Sequence, residues 1–196
     1  MGRDKALLTW PPAGAPGVGE HTFLSSWIRA LNPFNDMVIV VAGENFSHLA
    51  PVAYANGASI IRNPRPERGQ FSSLQTGLNE VLNRGRDAAM ITLVDRPPVA
   101  AATLQALDEA FAAAIARGLW AVVPEHAGKH GHPIVAGREM IEAFLRAPDT
   151  STAREAEHEN QSHIEYVKID DPFVAMNINT PEDYAQLASL AVPSRK

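Results

Sequence analysis

The chain is 196 residues long, carries a net charge of −5 and is 45% hydrophobic, which argues for one folded domain, 1–196, and against disorder or a repeat array. It has no cysteine, which excludes disulfide scaffolds, Cys-ligated zinc, iron–sulfur centres and thiol catalysis; any metal must take oxygen or nitrogen ligands. Mild acidity without a Lys/Arg tract argues against duplex nucleic acid as a partner. The longest apolar runs are strand-sized, far short of the roughly 20 residues a membrane helix needs. The start, Met-Gly-Arg-Asp-Lys, turns to Trp-Pro-Pro without a secretory pattern. A cytoplasmic protein acting on small molecules is expected, with no membrane or nucleic-acid partner.

Between positions 19 and 32, Phe23, Leu24, Trp27, Ile28 and Leu31 recur at spacings of three and four, which predicts an amphipathic helix stopped by Asn32-Pro33. The run Met-Val-Ile-Val-Val-Ala at 37–42 reads as a strand covered on both faces. A helix over 47–55 with Gly57 as its stop follows, then a short strand at 58–62. After a polar loop at 63–69, Phe71, Leu74, Leu78, Val81 and Leu82 mark another helical stripe. A third buried strand at 88–94 ends in Asp95-Arg-Pro-Pro98. An Ala-rich helix over 103–117 closes at Gly118, and a fourth strand lies at 120–123. Beyond it come a loop with His and Gly, a strand at 133–136, a helix near 138–145, a polar segment at 149–161 and a strand at 164–169. A final helix over 181–190 has Thr180 as its cap and Pro181 at its first position. Strands alternating with helices of this length describe βα units, an α/β fold with a largely parallel sheet and helices on both faces.

Such sheets bind ligands at the carboxyl ends of their strands, where Asp95 stands with hard oxygens suited to Mg²⁺; the plainer reading is an Asp opening a Pro turn. Asn179, in Asn177-Ile-Asn-Thr-Pro-Glu-Asp183, offers an amide oxygen to a cation or serves as a turn residue. Glu182 and Asp183 suit the helix dipole. Lys5 reads by itself as a solvated lysine. Gly69-Gln-Phe-Ser72-Ser73-Leu-Gln-Thr-Gly77 follows Arg62, Arg65 and Arg68 and opens a helix, suited equally to a phosphate or to ordinary capping. His126, His130 and His132 invite zinc, yet neither a helical nor a strand register puts all three on one face. His132 reads better as a substrate contact or a loop anchor.

Taken in order, Met1-Gly-Arg-Asp-Lys5-Ala-Leu-Leu, Asn63-Pro64, Gly69 to Gly77, Leu93-Val-Asp95-Arg-Pro, Gly131-His-Pro-Ile-Val135, Thr152-Ala-Arg154 and Asn177 to Asp183 resemble the MobA-like NTP transferases. That group includes the molybdenum cofactor cytidylyl- and guanylyltransferases. The resemblance implies a Rossmann-like nucleotide-diphospho-sugar transferase fold with a mostly parallel mixed sheet. It implies that Lys5 neutralises NTP phosphates as a catalytic residue beside Asp95, and that Asp95 and Asn179 hold Mg²⁺. Gly2, Lys5, Ser72, Ser73 and Gly77 would line the nucleotide, and Gly131, His132 and Pro133 would face the acceptor.

The implied reaction moves NMP from CTP or GTP to a phosphorylated acceptor, molybdopterin among the candidates, releasing pyrophosphate in molybdenum cofactor biosynthesis. Transient contact with a molybdoenzyme or its chaperone belongs to the same picture. Two other readings keep the fold: a sugar-phosphate or lipid-precursor nucleotidyltransferase, and a nucleotide-binding regulatory protein with impaired catalysis. The family opens with an apolar strand and a Gly-rich loop, roughly Leu-Ala-Ala-Gly-x-Ser-x-Arg-Met-Gly, of which Met1-Gly2 matches only the end. The expectation is a start codon assigned too late, and slower turnover by these 196 residues than by an upstream-extended chain.

Overall fold

A computed structural model describes residues 4–12 and 21–190, with side chains to residue 187. Gly2 and the expected helix start at 19 lie outside the described residues. The helix α1 (Phe23–Leu31) begins at Thr22, whose hydroxyl takes the Ser25 N–H while the Ser25 hydroxyl takes the Thr22 N–H. This reciprocal cap satisfies donors that no helical carbonyl can reach. The expected stripe of Phe23, Leu24, Trp27, Ile28 and Leu31 is buried in full.

The strand β1 (Ile39–Ala42), helix α2 (Phe46–Ala55) and strand β2 (Ser59–Arg62) form a βαβ unit whose strands run parallel, Ile39 opposite Ser59. Helix α3 (Gln70–Asn83) leads to β3 (Ala88–Ile91), and α4 (Ala101–Ala116) to β4 (Ala121–His126). A tight hairpin then gives β5 (Lys129–His130); both turn residues, Ala127 and Gly128, have φ in the left-handed region, at 48° and 75°. Strand β6 (Ile134–Gly137), helices α5 (Arg138–Arg146) and α6 (Ala153–Glu159), strand β7 (Ile164–Lys168) and helix α7 (Pro181–Leu190) complete the described chain.

β1 and β2 form a two-stranded sheet of their own, while β3 to β7 form a second, mixed sheet with helices on both faces. β7 runs parallel to β4, while β6 lies antiparallel between β3 and β4. β5 takes the same edge of β4 as β6, because Glu125 pairs with both His130 and Lys168. The side chains of β4 alternate between two cores. Ala121 and Val123 pack with Phe71, Leu78, Met140, Ile141 and Phe144 under α3 and α5, whereas Val122 packs with Leu107 and Ala114 of α4. Coverage on both sides explains why the strand reads as a continuous apolar run. Each fully buried Val, Leu, Ile or Phe adds about 1.5–3 kcal/mol of transfer free energy. A separate core of Trp27, Ile28, Leu49, Ile60 and Leu104 holds α1 against the β1–β2 unit.

Two differences from the sequence reading bear on the site. β3 stops at Ile91, three residues before the apolar run ends, so 92–94 leave the sheet and carry Asp95 outward. The polar segment at 149–161 contains α6, started by a Thr152–Glu155 capping box. Among the described residues no helix is long and apolar enough to cross a membrane.

Candidate active site

The loop after β3 is clamped from two sides. The Trp27 indole Nε1 of α1 donates to the Arg96 carbonyl at 2.8 Å, and the Ile178 amide donates to the Asp95 carbonyl at 2.8 Å. These bonds aim the Asp95 carboxyl at the carboxyl edge of the sheet. Its Oδ2 lies 3.8 Å from Lys5 Nζ, while Oδ1 is buried without a hydrogen-bond partner. Lys5 sits on a single 3-10 turn (Lys5–Leu7) whose Ala6 amide is capped by Asp4 Oδ1; the other Asp4 carboxylate oxygen takes the Asn45 side-chain amide at 2.6 Å. The same Lys5 ammonium donates to Asn179 Oδ1 at 3.1 Å.

Asn179 is held by the cap of α7. Asp183 Oδ2 accepts from the backbone N–H groups of Asn179 and Thr180, both at 2.9 Å, and these bonds, together with the nearby Lys5 charge, keep its carboxyl below the usual range. Lys5, Asp95 and Asn179, predicted from distant parts of the sequence, therefore meet at one point. The lysine and aspartate side chains are 31% and 30% exposed, open enough for a ligand to reach. A carboxylate oxygen and an amide oxygen are the hard donors that Mg²⁺ or Mn²⁺ takes, with phosphate oxygens supplying further positions. The orphaned Asp95 Oδ1 is free to serve as one, so the residues fit a divalent cation.

Beside this cluster lies a second group, in which Gly131 and His132, expected to face the acceptor, stand with Arg96, for which the sequence offered no role. Arg96 Nη1 donates to the Val174 carbonyl at 2.9 Å, but its Nε is buried without a partner. The His132 amide donates to the same Val174 carbonyl at 2.8 Å, and the His132–Pro133 peptide is cis. Gly131 is forced by this approach, since a Cβ there would fall 2.0 Å from Val174 O. Burial, reinforced by the Arg96 charge, pushes the His132 imidazole down to about 3, so it is neutral near pH 7 with Nδ1 unpaired. Glu157, projecting from α6, is pushed up to about 7 by burial against the opposing pull of Arg154 and Arg96. Every buried side-chain polar atom left without a partner among the described residues belongs to this region: Thr92 Oγ1, Asp95 Oδ1, Arg96 Nε and His132 Nδ1. Such atoms cost about 1–3 kcal/mol each when isolated, and their concentration is the mark of a ligand site.

Other expected residues lie apart from Lys5. Asn63 Nδ2 donates to the hydroxyls of Ser72 and Ser73 at 2.8 and 3.0 Å, and Ser72 in turn donates to the Gly69 carbonyl at 2.7 Å. These hydroxyls are engaged in tying the 63–69 loop to the start of α3. Ser72 lines a cavity of about 200 Å³ with Arg65, Arg68, Gln75 and Asp149, and Ser73, Lys5 and Asp95 do not border it. Gly77 lies mid-helix, where a Cβ would stand 3.0 Å from Val41 Cγ2, so its smallness lets α3 pack on β1. The histidines disperse. His126 bonds the Ile169 carbonyl, His130 stacks on Tyr166 at 4.0 Å, and among the described residues no group of three His, Asp or Glu is placed to hold a metal ion. Arg96 and Glu157 were missed because neither sits in an apolar pattern; the Thr152-Ala-Arg-Glu155 capping signal was the one available clue.

Residues 1–164 match the family described as the MobA-like NTP transferase domain, and the chain belongs to that family. It is 24% identical over 192 residues to the molybdenum cofactor cytidylyltransferase of Escherichia coli K12, covering 94% of this chain and 86% of that protein. Among solved structures it resembles Rv0371c of Mycobacterium tuberculosis H37Rv, with a TM-score of 0.76, 22% identity, and coverage of 96% and 90%. A manganese complex of that protein superposes with a TM-score of 0.71 at 22% identity, covering 96% of this chain and 93% of that one. The chain is thus a nucleotidyltransferase of this family with an α/β, Rossmann-like fold.

Proposed function

We propose that this nucleotidyltransferase acts as a single domain that moves CMP from CTP, or GMP from GTP, onto a phosphorylated acceptor such as molybdopterin, with Mg²⁺ and with release of pyrophosphate. The observation that carries the reading is the meeting of Lys5, Asp95 and Asn179 within 4 Å contacts of one another through the Lys5 ammonium. CTP is put first because the Escherichia coli relative is a cytidylyltransferase.

The reaction joins an acceptor phosphate oxygen to the α-phosphorus of the NTP as the bond to the β-phosphate oxygen breaks, and the electron pair leaves with pyrophosphate. Both partners are anions, so the barrier is lowered by neutralising charge and aligning the groups in line. Asp95 and Asn179 would hold Mg²⁺, which when bound withdraws charge from the phosphates. Lys5 places its ammonium against the leaving β- and γ-phosphates. Arg96 and the 131–133 turn, tied together at the Val174 carbonyl, present a cation and a neutral imidazole to the acceptor. No general base is required, because an acceptor phosphate is already ionised. The test is pyrophosphate release with CTP or GTP, molybdopterin and Mg²⁺. Release is expected only with all three, lost on chelation and restored by Mg²⁺; absence of release and of NTP binding in calorimetry overturns the proposal.

A further inference from the structure

His130 of β5 stacks on Tyr166 of β7, with ring centroids 4.0 Å apart and planes 16° from parallel. The register of the strands explains the pairing. His130 stands opposite Glu125 of β4, and Tyr166 stands opposite Val123 two positions earlier, so the side chains of His130, Glu125 and Tyr166 share one face of the sheet. Val123 belongs to the core under α3 and α5; beyond it that face opens, with the His130 side chain 52% exposed and Tyr166 37% exposed. Glu125 lies at the edge of the stack. Its Oε2 is 3.7 Å from His130 Nε2, too long for a hydrogen bond, and among the described residues its carboxylate takes no other donor.

This shelf stands at the carboxyl edge that also carries Asp95, because β7 runs parallel to β4 and β6 lies antiparallel between β3 and β4. One residue separates it from the anchor of Arg96. A Cβ on Gly131 would fall 2.0 Å from the Val174 carbonyl oxygen, the atom that accepts from Arg96 Nη1 and from the His132 amide. The Cα atoms of His130 and His132 are about 7 Å apart in extended chain, a distance that a phosphate on a short side chain of a bicyclic ring can span. Two stacked rings with an open outer face take a third planar ring, and a carboxylate beside them selects a ring edge with two adjacent N–H donors. The 2-amino-4-oxopyrimidine edge, shared by pterins and guanine, has that pattern. Resting on the reading of the 131–133 side as the acceptor subsite, we infer that His130, Tyr166 and Glu125 seat the pterin ring of the acceptor. The ring stacks on the outer face of His130, Glu125 accepts from its 2-amino group and the neighbouring ring N–H, and Arg96 meets the phosphate end.

The probe is unsubstituted pterin, titrated while the ring-proton signals of His130 and Tyr166 are followed by NMR, assigned with His130→Gln and Tyr166→Phe. Pterin should move both sets of signals. Lumazine, in which an oxygen replaces the 2-amino group, should bind at least about tenfold more weakly, because it turns an acceptor toward the carboxylate. Glu125→Gln should erase that preference, and Tyr166→Ala and His130→Ala should each weaken pterin about tenfold by removing a ring of the stack. Ring signals unmoved by pterin, lumazine bound as tightly as pterin, or a preference that survives in Glu125→Gln would each overturn the inference. Guanosine bound on these two rings more tightly than pterin would overturn it too, by assigning the shelf to the nucleotide. Should a variant fail to fold, the wild-type ring signals and the ratio of pterin to lumazine affinity decide by themselves. No NTP, metal or turnover enters these measurements, so their failure is separable from failure of the pyrophosphate-release test.

Discussion

Two aspartates follow strands of this sheet and have opposite surroundings. Asp171, after β7, is buried, and each of its oxygens is used: Oδ2 accepts from the Ala100 amide at 3.1 Å and the Thr103 hydroxyl at 2.8 Å, Oδ1 from the Phe173 amide at 3.0 Å. Asp95, after β3, leaves one oxygen buried and unpaired and offers the other to Lys5 across 3.8 Å. A carboxylate whose bonds are all made inside the fold is there to hold the fold. One held in place by its backbone while its side chain is left unsatisfied gives up stability for a ligand's sake.

The contrast is broken most sharply at Asp95. Asp95→Ala should lower pyrophosphate release at least about a thousandfold, since a charge that holds the metal acts on the transition state with several kcal/mol. Its melting temperature should stay near wild type, because an orphaned oxygen and a partly exposed ion pair contribute little to folding. Unchanged turnover with a large thermal loss would move Asp95 into the same class as Asp171. Asp171→Ala is expected to do the reverse. Removing the acceptor of those bonds at the start of α4 should cost about 2–4 kcal/mol in urea unfolding. Stability equal to wild type would sink the distinction from the other side. The smallest effect belongs to Lys5: Lys5→Ala should weaken NTP binding about tenfold and NMP binding much less, because the extra charge of the β- and γ-phosphates is what the ammonium meets. Equal losses, read by calorimetry, would place Lys5 away from those phosphates.

How much of this was legible beforehand follows from what each feature leaves in a sequence. α1 and α3 were readable because one apolar stripe faces one core. The direction of β6 was not, since a strand buried on both faces is apolar whether it runs parallel or antiparallel to its neighbours. Asp95 announced itself by ending an apolar run. Asp171 hides in Asp170-Asp171-Pro172, which reads as a turn, and only Ala100 and Thr103 brought from α4 make it structural. Ser72 and Ser73 were read for their hydroxyls, but whether a hydroxyl is free depends on Asn63, which the fold brings to it. Glu157 left only the capping signal that precedes it, because its raised midpoint comes from burial, against the pull of Arg154 and Arg96, and burial is set by the fold.

The bond from Lys5 to Asn179 spans 174 positions. Closing a loop of that length costs the unfolded chain about 4–5 kcal/mol of entropy before any contact returns it. On the ribosome, the β1–β2 unit and α3 can pack while later strands are still being made, yet the ammonium has no amide oxygen to meet until residue 179 has emerged. The contact that joins the two ends of the site is therefore among the last the chain can make, after every strand of the sheet has been synthesised.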